Sequence, residues 1–174
     1  MKLYKALIGP DAPVNSDHIE GAGEGIHMDM NYRFSLMLGI GSVYQTCFWN
    51  ESWRIEDPMG VGDKALYQKW FDLYYQLRLS QGIYLNLYDL VYDKPGSHAI
   101  AKGKEIYYLF APPHGKSFQG KIELRGLDSN TIYSVVDYEN NINLGKFVGP
   151  TIQLDVNIPI NDPLLLKATP VTVY

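Results

Sequence analysis

A β-rich mixed α and β fold, ending in an antiparallel β-sandwich, is the class this sequence predicts, and three observations predict it. The stretch from Lys104 to Val173 breaks into short apolar runs at roughly ten-residue spacing, separated by Gly, Pro, Asn and Asp, the rhythm of a sandwich rather than of βαβ units. Ahead of it, one segment repeats its apolar residues at helical spacing. Ahead of that helix lies a glycine-rich stretch with two apolar bursts. The expected division is therefore 1–82 and 83–174, with no internal repeat and no low-complexity linker, so that helix and sandwich pack as one unit.

The first zone, residues 1–62, holds the bursts Leu3–Ile8 and Phe34–Val43. Leu3-Tyr4-Lys5-Ala6-Leu7-Ile8 reads as a strand. Phe34-Ser35-Leu36-Met37-Leu38-Gly39-Ile40-Gly41-Ser42-Val43 is almost continuously apolar, which suits a strand or short helix covered on both sides. Its Gly-x-Gly lacks the strand–turn–helix frame of a phosphate loop, and close packing explains it better. In the second zone Asp63 is a plausible N-cap, Leu66, Trp70, Leu73, Tyr74 and Leu77 form one apolar face, and Gly82 is a stop, giving a helix over 64–81. Lys69, Asp72, Gln76 and Arg78 fall on the remaining surface.

The third zone opens with Ile83–Tyr92 and the turn Asp93-Lys94-Pro95-Gly96-Ser97. Strands follow at Ile106–Phe110, Lys121–Arg125, Ile132–Tyr138, Thr151–Val156 and Leu164–Ala168, with Gly126-Leu127-Asp128-Ser129-Asn130 as a turn. The expected sandwich core is Tyr107, Leu109, Ile122, Leu124, Tyr133, Val135, Ile152, Leu154 and Leu165. His98 and His114 fall in Gly/Pro turns, where solvated rings are expected.

The 174 residues suffice for one good core, and a net charge of −4 with no basic run argues against a nucleic-acid surface. No apolar stretch is long enough to span a bilayer, and no signal peptide is read at the N-terminus, so a soluble protein of unassigned compartment is expected. Cys47 is the only cysteine, which excludes an internal disulfide and a thiolate zinc site. Tyrosine is the outlier at 14 residues. Such rings stack on sugars, but they are equally ordinary strand and core residues.

Several motifs resemble the α-galactosidase (melibiase-type) glycoside hydrolases and their relatives. Leu124-Arg125-Gly126-Leu127-Asp128, then Tyr133-Ser134-Val135-Val136-Asp137, then Asp162-Pro163-Leu164-Leu165-Leu166 follow the order of that family's C-terminal β domain. Tyr67-Gln68-Lys69-Trp70 through Leu77-Arg78-Leu79-Ser80-Gln81-Gly82 is similar to the helix preceding it. The resemblance implies that residues 1–82 are the last strand and helix elements of a (β/α)8 catalytic barrel. It covers nearly all of this chain but only the final part of the family's proteins.

The dense polar cluster of the chain is Asp11, Asn15, Ser16, Asp17, His18, Glu20, Glu24, His27 and Asp29. Glycoside hydrolysis needs two carboxyl groups flanking the scissile bond. Pro13-Val14-Asn15-Ser16-Asp17-His18 resembles the family's Ser-Asp loop, which implies Asp17 as acid/base, with Ser16 and His18 bonding the sugar or holding the carboxyl. Read by residue type alone, Asn-Ser-Asp-His is ordinary capping and turn chemistry, and Glu20 and Glu24 are alternative carboxylates. His18, Glu24, His27 and Asp29 carry metal-binding atoms, but their spacing follows no rigid ligand pattern; neither metal nor cofactor is expected. Trp49 and Trp53, with Asn50, Glu51 and Arg54 beside them, suit either a sugar subsite or core packing.

One departure matters. The family's nucleophilic aspartate belongs to a Lys-x-Asp motif on an earlier strand, and a full barrel needs about 250 residues. The expectation is a C-terminal portion of a glycosidase acting on α-linked, α-galactoside-type sugars by a retaining mechanism. Its partners would be a carbohydrate substrate and the rest of the barrel, with neither nucleic acid nor membrane, and it would be inactive alone. The competing reading is a non-catalytic carbohydrate-binding or structural sandwich module, and beyond it an interaction domain for another ligand.

Overall fold

The computed structural model describes residues 7–15, 30–44, 61–89, 95–113 and 115–172, apart from the side chains of Asn15 and 61–63. In chain order the elements are β1 (Val14–Asn15), α1 (Met30–Gly39), β2 (Ser42–Val43), α2 (Val61–Leu77), a 3-10 turn (Leu79–Gln81) and β3 (Ile83–Tyr84). The strands β4 (Gly96–Lys102), β5 (Glu105–Ala111), β6 (Phe118–Leu124), β7 (Ile132–Asp137), β8 (Ile142–Val148), β9 (Ile152–Ile158) and β10 (Leu164–Pro170) follow.

Among the described residues, the larger sheet runs β3-β4-β5-β10-β7-β8, antiparallel throughout, and β6 pairs with β9 to form the facing layer. The last strand is thus inserted between β5 and β7. Turn chemistry makes the crossings possible. Asn130, Asn141 and Asn161 all take left-handed backbone angles, which Asn tolerates better than most residues. Asp137 Oδ1 accepts the amides of Glu139 and Asn140, closing the turn into β8.

Two cores result. Between the layers lie Ile106, Tyr108, Phe110, Ile122, Leu124, Tyr133, Val135, Ile152 and Leu166. On the outer face of the larger sheet, Ile100, Tyr107, Leu109 and Leu165 pack against Phe34 and Leu38 of α1 and Trp70 and Leu77 of α2. The sandwich is therefore as expected, but its interior is only partly the expected one. Tyr107, Leu109 and Leu165 are buried against the helices instead of between the sheets. The larger sheet is covered on both faces, so Ile106–Ala111 of β5 and Leu164–Leu166 of β10 read as unbroken apolar runs and alternation singles out neither face there. β9 alternates cleanly because one of its faces meets solvent.

Other expectations shift too. Phe34–Val43 is a helix followed by a strand, not one element, and the strand leading into the Ser-Asp segment is Val14–Asn15, while Leu7 and Ile8 are helical. Helix α2 begins before Asp63 and ends at Leu77, short of Gly82. Arg78 turns left-handed (φ 47°), which drops Leu79 into the core, and Lys102 Nζ donates to the Leu77 carbonyl at the helix end. Of the run Ile83–Tyr92, the described residues 83–89 form a strand only at Ile83–Tyr84, and β4 and β8 were not foreseen. His98 is the sharpest correction: it lies in β4, buried, its ring 4.7 Å from that of Tyr84. His114 lies outside the described residues.

Three tyrosines of the sandwich act as core residues with tethered hydroxyls. Tyr108 Oη donates to the Arg125 carbonyl at 2.7 Å and Tyr88 Oη to the Glu123 carbonyl at 2.6 Å, while Tyr133 Oη accepts the Asp128 amide at 3.0 Å. Together they hold the end of β6 and the Gly-Leu-Asp turn, burying each ring without stranding its polar end.

Candidate functional site

The parallel pair β1–β2 is where the structure meets the sequence-predicted site. Val14 is in register with Ser42 and Asn15 with Val43, and α1 lies between the two strands in the chain. Parallel strands point the same way, so both C-terminal ends lie at one edge. From Asn15 the chain runs into Ser16, Asp17 and His18, and beyond Val43 into Trp49 and Trp53. Ser16, Asp17, His18, Trp49 and Trp53 all lie outside the described residues, as do Glu20, Glu24, His27 and Asp29. In barrels, catalytic side chains come from the C-terminal strand ends and the loops after them.

What holds this pair is well defined. The Ser42 hydroxyl, buried, donates to the Val14 carbonyl at 3.0 Å and lies 3.4 Å from the Val43 carbonyl. Gly39 and Gly41 seat the turn between α1 and β2 on neighbouring elements. A Cβ at Gly39 would lie 2.9 Å from Leu109 Cβ, and one at Gly41, where φ is +66°, would lie 2.8 Å from the Leu79 carbonyl oxygen. The close-packing reading of Gly-x-Gly is correct. Tyr44, next after β2, donates to the Phe34 carbonyl at 2.8 Å and stacks on Tyr74 at 4.5 Å. Burial pushes its hydroxyl pKa well up, so it stays neutral. The role of Ser42 was not read from sequence, since a serine inside an apolar run carries no signal until its acceptor is known.

Two other polar groups stand out, each held by its own partners. Glu105 accepts from Tyr107 Oη at 2.5 Å and Thr169 Oγ1 at 2.9 Å, with Lys167 Nζ at 3.4 Å. Burial opposes its ionisation, but those donors outweigh it and hold the carboxyl below its usual range. Glu139 pairs with Lys69 at 2.7 Å, and there burial wins, raising the carboxyl. Among the described residues no group of three or more His, Cys, Asp or Glu is placed to hold a metal ion. Nor is any described helix long and apolar enough to cross a membrane.

Sequence and fold together define a class. The chain has the fold of the C-terminal part of an α-galactosidase-type glycoside hydrolase. It is 29% identical over 99% of its length to an A type blood α-D-galactosamine galactosaminidase of Flavonifractor plautii, of which it spans 14%. Among solved structures it superposes on a Bacillus halodurans protein given as an α-N-acetylgalactosaminidase, with TM-score 0.65 at 12% identity, covering 98% of this chain and 41% of that one. A family-27 β-L-arabinopyranosidase from Geobacillus stearothermophilus matches with TM-score 0.64 at 15% identity, covering 98% of this chain and 40% of that enzyme. An α-galactosidase from Mortierella vinacea matches with TM-score 0.55 at 13% identity over 88% of this chain and 38% of that one. No family model matches the sequence.

Proposed function

We propose that this chain is the C-terminal portion of a retaining glycoside hydrolase acting on α-linked sugars of the galactose type. In this reading residues 1–82 are the closing elements of a catalytic barrel and residues 83–174 its β-sandwich. The observation that carries the proposal is the parallel β1–α1–β2 unit, whose strand ends run into the Ser-Asp-His and Trp segments. The sugars named for the relatives support the substrate class, since galactose, galactosamine and L-arabinopyranose share one ring configuration. The partners are then a carbohydrate substrate and the remainder of the barrel.

In this reading, which follows the resemblance of the Ser-Asp segment, Asp17 is the acid/base and the nucleophilic carboxylate comes from an earlier barrel strand. Asp17 would protonate the leaving oxygen as the nucleophile attacks the anomeric carbon, then deprotonate the water that releases the sugar. Ser16 and His18 are the polar groups beside it, and Trp49 and Trp53 supply rings on which a sugar face stacks. With one carboxylate of the two, the chain alone does not cleave.

The test is Asp17→Ala in the full-length protein. An acid/base matters most where the leaving group is poor. Cleavage of α-galactosides with sugar leaving groups should fall about 10²–10⁴-fold, and that of activated aryl galactosides far less. Azide should partly restore turnover, because it needs no base to attack the glycosyl intermediate. Equal losses on both substrates without azide rescue would remove Asp17 from this role.

A further inference from the structure

We propose that the aromatic row formed by Tyr67, Phe71 and Tyr75 on α2 is the surface on which a further strand–helix unit of the same polypeptide docks beside β2. The inference rests on the reading of residues 1–82 as closing barrel elements and names the face and its occupant. β1 and β2 are two residues each, run parallel, and among the described residues pair only with one another. Parallel strands are stable within sheets covered on both faces, not as isolated pairs. A further strand is therefore called for, and α2 does not lead to one, since it runs through the 3-10 turn into β3 of the sandwich. That strand comes from a more distant part of the polypeptide.

Helix α2 carries a matching face for the helix of such a unit. Its buried side, Trp70 and Leu77, packs against α1 and the larger sheet. Tyr67, Phe71 and Tyr75, four residues apart, form a second row turned about 110° around the helix axis from that side. The rings pack on one another, Tyr67 on Phe71 at 6.4 Å and Phe71 on Tyr75 at 6.1 Å. The inner end of the row is already an interface. Tyr67 meets Phe34 of α1 edge-on at 5.0 Å, and Phe71 meets Tyr44, the residue after β2, at 5.6 Å. The outer end is open, with Tyr75 63% exposed. Next to it the helix is polar, and Gln68 donates to Asp72 at 2.7 Å. A solvated face accounts for those residues but not for an aromatic row that leaves an existing contact and continues onto open surface. In a barrel, neighbouring helices of the outer ring pack apolar side to apolar side. The chain spans 41% of the Bacillus halodurans protein and 40% of the arabinopyranosidase, so proteins of this fold carry ample length for such a unit.

The experiment is hydroxyl-radical footprinting of the full-length protein, each residue normalised to the urea-unfolded state. Tyr75 should be protected to the level of buried Tyr84, about tenfold below the reactivity that an exposure of 63% against 5% sets. In the 174-residue chain by itself Tyr75 should stay reactive. Tyr75→Ala should lower the melting midpoint of the full-length protein about 2–4 °C more than that of the chain. If the chain does not fold by itself, the footprint of the full-length protein decides. Tyr75 fully reactive in the full-length protein would overturn the proposal. So would protection in the chain alone that grows with its concentration, since the occupant would then be a second copy. The result is separable from the acid/base reading. Reactive Tyr75 in a protein where Asp17→Ala separates sugar from aryl leaving groups removes the docking surface alone. Protected Tyr75 where Asp17→Ala fails to separate them removes the acid/base assignment and supports the surface.

Discussion

Lys69 Nζ on α2 lies 2.7 Å from Glu139 Oε1 at the turn between β7 and β8, joining helix and sandwich by an ion pair. The partners are unequal: the Lys69 side chain is 40% accessible and that of Glu139 only 6%. Removing the lysine leaves a carboxylate with little access to water, whereas removing the carboxylate leaves an ammonium that solvent can reach. Lys69→Ala should cost about 1–3 kcal/mol and Glu139→Gln less than about 1 kcal/mol, measured by urea denaturation at neutral pH. Equal costs would show that the pair is solvated from both sides.

The same carboxyl sets a pH dependence. Burial raises the Glu139 pKa above its ordinary value; Lys69 opposes this, and Asp162 and Asp137 add to it. A raised folded-state pKa means that the folded protein holds the proton more tightly than the unfolded chain does. The contribution of Glu139 to stability should therefore increase as pH falls through the raised value toward the ordinary carboxylate range. Glu139→Gln should remove that part of the slope and Lys69→Ala should steepen it. Stability measured across that interval, in wild type and both variants, checks the sign.

Leu124 and Leu165 are equally buried but serve different cores. Either one changed to Ala should cost about 2–4 kcal/mol through cavity formation. Hydrogen exchange should separate them: Leu124→Ala loosens the β6–β9 layer, and Leu165→Ala first exposes the amides of α1 and α2. Identical exchange patterns would mean that the two cores unfold as one.

Gly41 and Gly103 have nearly the same left-handed backbone, φ +66° and +61°, but a Cβ at Gly103 meets nothing within 4 Å. Gly103→Ala should cost about 1 kcal/mol for the backbone alone. Gly41→Ala should cost about 2 kcal/mol more, since its methyl meets a backbone carbonyl that cannot rotate away. The difference in melting midpoint isolates the contact that seats β2.

Tyr108→Phe removes the donor to the Arg125 carbonyl from a fully buried ring. The expected cost is about 0.5–1.5 kcal/mol, with no change in the shape of the core. A loss as large as that of Leu124→Ala would mean that the hydroxyl organises the turn after β6 rather than merely satisfying it.

What the sequence by itself determined was local. Strand spacing, the asparagines and glycines at the turns, and the stripe Leu66-Trp70-Leu73-Leu77 are set by backbone preference and period, and they are where the reading holds. The motifs from Leu124 to Leu166 located the class of fold. The candidate site was legible only as a segment, because Ser16, Asp17 and His18 are turn residues as readily as catalytic ones. Tertiary structure alone decided the rest. Alternation names two faces of a strand but not what covers them, so only the packing of α1 and α2 on β5 and β10 sends Tyr107, Leu109 and Leu165 outward. His98 is buried because β4 pairs with β5, a ladder joined by residues that a Gly/Pro turn had obscured. Ser42 acquired meaning from an acceptor 28 residues earlier, Val14. A contact across that separation depends on how the chain returns to itself, and no local periodicity records it.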